Sequence, residues 1–136
     1  MDRMKDKFVV VTGAAHGIGA AIAQRFAEEG AALALLDLDG AHLAETAKRL
    51  PGTQSLTIAA THGRIDVLVN NVGGSRNQKL WEMTAEAWDF TIRLNLRSAF
   101  LCVRGRAVAD DVSVRFAGPA FVAGGSGILV WSATRR

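Results

Sequence analysis

The spacing of apolar positions changes several times along the chain, and each change marks an element. "KFVVV" (Lys7 to Val11) is a short apolar, β-branched run ended by Thr12-Gly13, which predicts a strand covered on both faces. Ile18, Ile22 and Phe26 then recur at four-residue steps, with Gln24, Arg25, Glu28 and Glu29 facing the other way and Gly30 where a C-terminal cap belongs. That is the pattern of an amphipathic helix. "ALALLD" (Ala32 to Asp37) predicts a second buried strand, and Leu43, Ala47 and Leu50 mark a second helix stopped by Pro51-Gly52. "RIDVLVNN" (Arg64 to Asn71) reads as a further strand. "TAEAWDFTIRLNLRSAFLCVR" (Thr84 to Arg104) reads as a long helix, with Thr84 as its N-cap and Glu86 a favourable charge in its first turn. Strand and helix alternate, so the expected class is α/β on a parallel sheet.

Composition narrows the setting. The 136 residues have room for one domain with one ordinary core, and 49% hydrophobic with 21% charged residues excludes disordered and fibrous classes. No apolar run approaches the roughly 20 residues of a membrane helix, and "MDRMKDKFVVVTG" reads as a first strand and not a secretion signal, so the cytoplasm is expected and a membrane partner is not. Cys102 is the single cysteine, which leaves no internal disulfide, and no Cys/His cluster has zinc-site spacing. The net charge of +3 belongs wholly to residues 104–136, because Lys/Arg and Asp/Glu balance before them. Without a basic stripe interleaved with aromatics, nucleic acid is not an expected partner.

The chemistry begins at "TGAAHGIG", residues 12–19. A phosphate in a partly dry site needs several free N–H donors and no side chains in the way, and a helix N-terminus supplies both, with a partial positive charge of about half a unit. Gly13, Gly17 and Gly19 let the backbone turn tightly and approach a pyrophosphate; a glycine-rich strand-to-helix turn can also be only a turn. The context favours the phosphate: a strand precedes, a helix follows, and Asp37 ends the next strand 18 residues after Gly19, near the expected separation of about 20. A carboxylate there accepts hydrogen bonds from the ribose hydroxyls and repels a 2'-phosphate, which favours NAD over NADP. The other reading of Asp37 is a cap for the following helix, a task Asp39 could do equally well. His16 is an exposed loop residue or, if protonated, a source of tolerance for NADP.

These residues resemble the short-chain dehydrogenase/reductase family. Its T-G-x-x-x-G-x-G motif stands here as Thr12-Gly13-Ala14-Ala15-His16-Gly17-Ile18-Gly19, its N-N-x-G motif as Asn70-Asn71-Val72-Gly73, and Asn95 in "RLNLRSAF" matches its active-site asparagine. The resemblance covers residues 5–103. It implies a Rossmann-type sheet, a nicotinamide cofactor, and hydride transfer between that cofactor and a small-molecule carbonyl or alcohol, as in the 3-oxoacyl carrier-protein reductases and related alcohol or diol dehydrogenases. By matching position, Thr12, Gly13, His16, Gly17, Ile18, Gly19, Asp37, Asn70, Asn71 and Gly73 belong to the cofactor site. Asp37 would hold the ribose, Asn71 would line the site, Asn70 would help tie the central strands together, and Asp66 would support the fold near the adenine. The resemblance also implies a homo-oligomer through the helix at 84–104, with Trp88, Ile92, Ala99 and Val103 on its outward stripe. Trp81 and Trp88 read as packing residues or as the lining of a substrate entrance, and Cys102 as a small buried hydrophobe.

Two departures from the family matter. Its catalytic tyrosine works beside a lysine four residues later, because an unassisted phenol, with a pKa of about 10, is too weak a base near neutrality. This chain has no tyrosine, and its last lysine is Lys79. "SGILVWSA" (Ser126 to Ala133) resembles the family's fifth strand, with Ser132 as a relic of the catalytic serine beside Asn95. The second departure is topological. "SLTIAA" (Ser55 to Ala60) reads as the family's third strand, yet only residues 61–64 separate it from the next. In the family's order 3-2-1-4 that link must cross about 14 Å and return along a strand of about 17 Å. Four residues reach at most about 14 Å, and parallel neighbours need a dozen or more. Residues 55–60 are therefore not expected to form a regular strand in the family position, parallel to residues 65–70.

The expected fold is α/β, a Rossmann-type doubly wound parallel sheet that is incomplete: the crossover helix between its third and fourth strands and the C-terminal half are missing. Residues 1–103 form the dinucleotide-binding core, and residues 104–136 a divergent tail with a fifth strand. The tail's composition, rich in Arg, Gly, Ala and Val, fits either a divergent C-terminus or a reading frame shifted after Val103. Three functional readings follow: an NAD(P)-dependent short-chain oxidoreductase that is catalytically incomplete as given, a non-catalytic dinucleotide-binding module, or a truncated product without function.

Overall fold

The computed structural model describes residues 2–51, 65–75, 78–110, 120–121 and 127–132. Strand β1 (Phe8–Thr12) is buried at all five positions, as its unbroken apolar run predicts. It is flanked in parallel by β2 (Ala32–Leu36), with Phe8 opposite Ala32 and Thr12 opposite Leu36, and by β3 (Val67–Asn70), with Val9 opposite Val67 and Val11 opposite Val69. The anticipated strand at 55–60 and the link at 61–64 lie outside the described residues.

Each face of this three-stranded parallel core is covered by its own helices. Helix α1 (Gly17–Glu28) brings Ala23 and Ala27 against Val9, Val11, Leu33 and Val69, and Leu50, at the end of α2 (Gly40–Arg49), completes that face. Alanines suit the interface because a helix without bulky side chains can lie close to the sheet. The opposite face, formed by Phe8, Val10, Ala34 and Leu68, packs against Ile65, Cys102 and Val103. Burial pushes the Cys102 thiol up from its ordinary range, consistent with a small core hydrophobe and not a reactive thiolate.

Local signals end the helices where the pattern places them. Gly30 and Ala31 close α1 by donating their N–H groups to the carbonyls of Ala27 (3.0 Å) and Phe26 (3.1 Å), the paired bonds of a Schellman motif. Asp39, not Asp37, caps α2, accepting from the His42 N–H at 3.1 Å. Thr84 caps α3 (Ala85–Ile92) by accepting from the Ala87 N–H at 3.2 Å. The long helix expected at 84–104 is continuous but not uniform. A π-helical turn (Arg93–Arg97), in which the Ser98 N–H reaches the Arg93 carbonyl five residues back, joins α3 to α4 (Ser98–Asp110).

That turn corrects the outward stripe. The extra residue shifts the phase, so Trp88 and Ile92 are continued outward by Leu96 and Phe100. Ala99 is instead 5% exposed, and Val103 packs on the sheet. Trp81 and Trp88, at 80% and 50% exposed, are not packing residues.

The C-terminal strand departs from the parallel arrangement that the resemblance implied. β5 (Gly127–Ser132) does lie beside β3, but antiparallel, with Leu129 opposite Asn70 and Ser132 opposite Val67. β4 (Ala120–Phe121) pairs antiparallel with β5, giving the sheet order β2-β1-β3-β5-β4. Only five residues separate β4 from β5, enough for a hairpin and too few for a parallel crossover, which fits the antiparallel direction of that pair.

One ionic cluster anchors the chain's start. The carboxylate of Glu29, 4% exposed, accepts from Arg3 Nε at 3.1 Å and also pairs with Arg25, and the Arg3 hydrogen bonds hold Glu29 down to about 2. Because the folded-state value lies below the ordinary one, the stabilisation is present above about pH 4.5 and is lost as pH falls toward 2. Thermal melts of the native chain and of Glu29→Gln should therefore differ most near pH 7 and converge as pH approaches 2; a gap constant with pH would contradict this assignment.

Candidate functional site

The site lies at the C-terminal ends of β1, β2 and β3, where a parallel sheet with helices on both faces leaves a crevice. Thr12 ends β1 with its side chain buried. Its hydroxyl donates to the Val69 carbonyl at 3.2 Å and accepts from the N–H groups of Asn71 at 3.0 Å and Val72 at 3.3 Å. All three bonds of that hydroxyl join the first loop to the third. Asn71 Nδ2 adds a bond to the Gly13 carbonyl at 3.0 Å. Asn70 lies inside β3, 5% exposed, and neither polar atom of its amide has a partner among the described residues. Its neighbour Asn71 therefore supplies the side-chain tie between the strand ends.

The loop from Gly13 to His16 leads into α1. A Cβ on Gly19 would overlap the carbonyl oxygen of Gly13, so a side chain there is excluded by the loop's own backbone. Gly17 differs: its φ is +59° and nothing lies within 4 Å of where a Cβ would point. That open side adjoins the helix N-terminus. His16 makes no side-chain capping bond, and the first turn carries no acidic residue, so no side chain of the helix start competes for its N–H groups. The arrangement fits a bound pyrophosphate: free donors, helix polarity, and space where a side chain would otherwise stand.

Asp37 sits just beyond β2 and faces this loop. It accepts from the Ala15 N–H at 2.9 Å and the Asp39 N–H at 3.0 Å. These backbone bonds, Asp39's first, hold its carboxyl below the ordinary carboxylate range, so it is charged at neutrality. Two bonds leave lone pairs on a carboxylate that can accept about four, which fits a ribose diol. Exposed Ile18, Leu38 and Val72 border the crevice as apolar surfaces. Thr46, absent from the sequence-based site, donates from its buried hydroxyl to the Ala15 carbonyl at 2.6 Å and so pins α2 to the glycine loop. Its only sequence signal is a hydroxyl on the apolar face of α2, beside Leu43, Ala47 and Leu50.

Asn95 lies in the π-helical turn and clamps the third loop. Its Oδ1 accepts from the Gly74 N–H at 3.0 Å, and its Nδ2 donates to the carbonyls of Gly74 at 2.7 Å and Thr91 at 2.8 Å. Both amide protons are thus engaged with backbone. Gly73 passes so close that a Cβ would stand 2.7 Å from Asn95 Oδ1. Ser132 is not brought to this cluster. The antiparallel pairing sets it opposite Val67, the first residue of β3, while Asn70 and Asn71 mark the other end. Asp66 is also at the far end, accepting from the Phe8 N–H at 2.8 Å. Among the described residues, no group of three or more His, Cys, Asp or Glu side chains could hold a metal, and no helix is long and apolar enough to cross a membrane.

The sheet with its phosphate-ready loop defines a Rossmann-type α/β protein. The family model for short chain dehydrogenase matches residues 7–61 and 54–112, segments that overlap beside the shortened link. The chain belongs to the short chain dehydrogenase family. D-threitol dehydrogenase of Mycolicibacterium smegmatis is 36% identical over 118 residues, spanning 73% of this chain and 45% of that protein. The 3-oxoacyl-[acyl-carrier-protein] reductase of Thermotoga maritima is 36% identical over 117 residues, spanning 72% and 48%. A crystal structure of a short chain dehydrogenase from Mycobacterium smegmatis superposes with a TM-score of 0.70 at 30% identity, covering 76% of this chain and 52% of that one. The chain thus spans about half the length of these relatives.

The glycine geometry separates two substitutions. Gly19→Ala should destabilise the fold by about 3 kcal/mol, the upper end of ordinary overpacking costs, because backbone would have to move. Gly17→Ala should cost only about 1 kcal/mol, for its positive φ alone. Urea unfolding of the two variants measures the difference; equal losses would refute the close approach at Gly19.

Proposed function

We propose that this chain binds a nicotinamide dinucleotide, preferably NAD, as the cofactor half of a cytoplasmic short-chain oxidoreductase, and that its 136 residues do not complete the reaction by themselves. The observation that carries the reading is the uncapped, acid-free start of α1, open at Gly17 and flanked by the ionised Asp37. The first turn of α1 would receive the pyrophosphate, Asp37 would accept from the adenosine ribose, and Ile18, Leu38 and Val72 would offer apolar contact to the rings. Asn71 and Asn95 act as positioning residues, holding the first and third loops that shape the crevice. A bound nicotinamide would supply or take the hydride in exchange with a carbonyl or alcohol substrate. The proton on the substrate oxygen needs a group of matched acidity, and the chain contains no tyrosine to provide one.

That last point favours the second reading, a dinucleotide-binding module without catalysis of its own, over turnover by this chain alone. NADH fluorescence titration at pH 7.5 should show saturable binding, and Asp37→Ala should weaken it about 10- to 100-fold through loss of charge-assisted hydrogen bonds. Absence of binding would refute the reading. NADH oxidation with any ketone, abolished by Asn95→Ala, would restore a complete enzyme.

The helix at 84–104 is proposed as a self-association surface, with its stripe now Trp88, Ile92, Leu96 and Phe100. Acidic Glu82, Glu86 and Asp89 precede the middle of the stripe, and basic Arg97 and Arg104 follow it. Two copies packed antiparallel about an axis between Ile92 and Leu96 would bring opposite charges together. Light scattering after size exclusion should report a dimer that Leu96→Glu converts to monomer; a monomeric native chain would overturn the assignment.

A further inference from the structure

A cavity of about 460 Å³ lies on the face of the sheet that α1 covers and shares no lining residue with the crevice. Its apolar lining is Met4 from the chain's start, Ile22 and Phe26 one turn apart on α1, and Val69 of β3. Its polar lining is Arg3, Arg25 and Glu29. Protein cores are close-packed, with few voids larger than a water molecule, whereas small-molecule sites span roughly 300–1,000 Å³. A space of this size therefore has the dimensions of a site and not of a packing defect. The Met4 N–H donates to the Glu29 carbonyl at 2.9 Å, which fixes the chain's start against the end of α1 and holds the two walls together.

We propose that this cavity binds a medium-chain fatty acid, with the alkyl chain against Met4, Ile22, Phe26 and Val69 and the carboxylate on the guanidinium groups of Arg3 and Arg25. The charge of the polar lining selects the sign of the head group. Arg3 and Arg25 meet the single carboxylate of Glu29, which leaves one net positive charge among the three. The Arg3 hydrogen bonds hold Glu29 far below the ordinary carboxylate range, so that balance is constant near neutrality. Glu28, outside the lining, comes within 3.5 Å of Arg25 Nη1, but both side chains are exposed and water screens the pair.

Both arginines have donors to offer. Of the N–H groups in a guanidinium fork, Arg3 gives Nε and one Nη to Glu29, and Arg25 gives one Nη. Their side chains are 65% and 63% exposed and that of Glu29 only 5%, so the cations face the solvent from which an anion enters and the carboxylate lies behind them. A second carboxylate matches their planar donors with parallel hydrogen bonds. The alkyl chain gains contact with apolar surface that the core's own side chains leave uncovered. A sugar or a nucleotide base would find no polar partner along Met4, Ile22, Phe26 and Val69, so a simple acyl chain is the occupant assigned. The site is independent of the dinucleotide reading.

Isothermal titration of the full chain with hexanoate and octanoate, below the concentrations at which they form micelles, tests this. Octanoate should bind at one site per chain, about 15-fold tighter than hexanoate for its two further buried methylenes. Octan-1-ol should bind about tenfold more weakly than octanoate, the difference made by a charge-assisted hydrogen bond. Arg25→Gln, which leaves the Arg3 bonds to Glu29 intact, should remove that preference without changing the affinity for octan-1-ol. Met4→Trp should fill the cavity and abolish the binding of both ligands. In the native chain, labelled at its methionine methyl groups, octanoate should shift the Met4 signal and leave that of Met83 in place, a readout that needs no variant to fold. Equal affinity for octanoate and octan-1-ol, uptake at several sites, or a shift at Met83 without one at Met4 overturns the proposal. So does octanoate binding that saturating NAD+ abolishes, which would put the acyl chain in the crevice. A dimer that Met4→Trp converts to monomer, with no octanoate bound, would make a second copy the occupant and also overturns it. Absence of octanoate binding overturns it outright and leaves the dinucleotide reading as it stands.

Discussion

The hydroxyl of Thr12 is the joint on which the crevice depends. It sits where β1 ends, and by spending its one proton on Val69 and its lone pairs on the N–H groups of Asn71 and Val72 it sets the glycine loop at a fixed distance from the third loop. The Asn71 amide reaches the Gly13 carbonyl across the same gap, and Gly19 lies against that carbonyl, so the start of α1 has one position it can take. From the other side Thr46 holds Ala15, and Asp37 accepts the Ala15 N–H. Each bond is ordinary in strength. Together they convert a flexible glycine-rich stretch into a rigid cradle whose donors point outward.

Rigidity here is separated from chemistry. Asn95, in the π-helical turn, uses its amide to hold Gly74 and the Thr91 carbonyl. Ser132 stands opposite Val67, at the far end of β3, because its strand pairs antiparallel with β3. The crevice thus has the supporting bonds described above within residues 12 to 95.

Much of this was legible in the residues. The apolar run of β1, the caps at Thr84 and Gly30, and the glycine spacing at 12–19 are local signals, and local signals survive folding because each is satisfied by neighbours in sequence. The need for glycine was legible at Gly17 and Gly19, though for different reasons: a positive φ at one and a close backbone approach at the other. The site was less legible where two adjacent residues could share a task. Asp37 and Asp39 were both able to cap α2, and the choice fell to Asp39 because Asp37 was engaged by the Ala15 N–H from 22 residues away. Thr46 carries no motif; its hydroxyl gains meaning only through the carbonyl that tertiary packing puts beside it.

The sequence by itself determined the three core strands, the helices that follow the first two of them, the helix that begins after Thr84, and that no tyrosine is present for proton transfer. Tertiary structure decided the rest: which asparagine ties the loops, which way the last strand runs, and which side chains face outward beyond the π-helical turn. The physical reason is that secondary structure and caps depend on contacts within a few residues. Strand direction, helix phase and the partner of a buried polar group depend on what the connections allow and on which donors arrive first from distant parts of the chain.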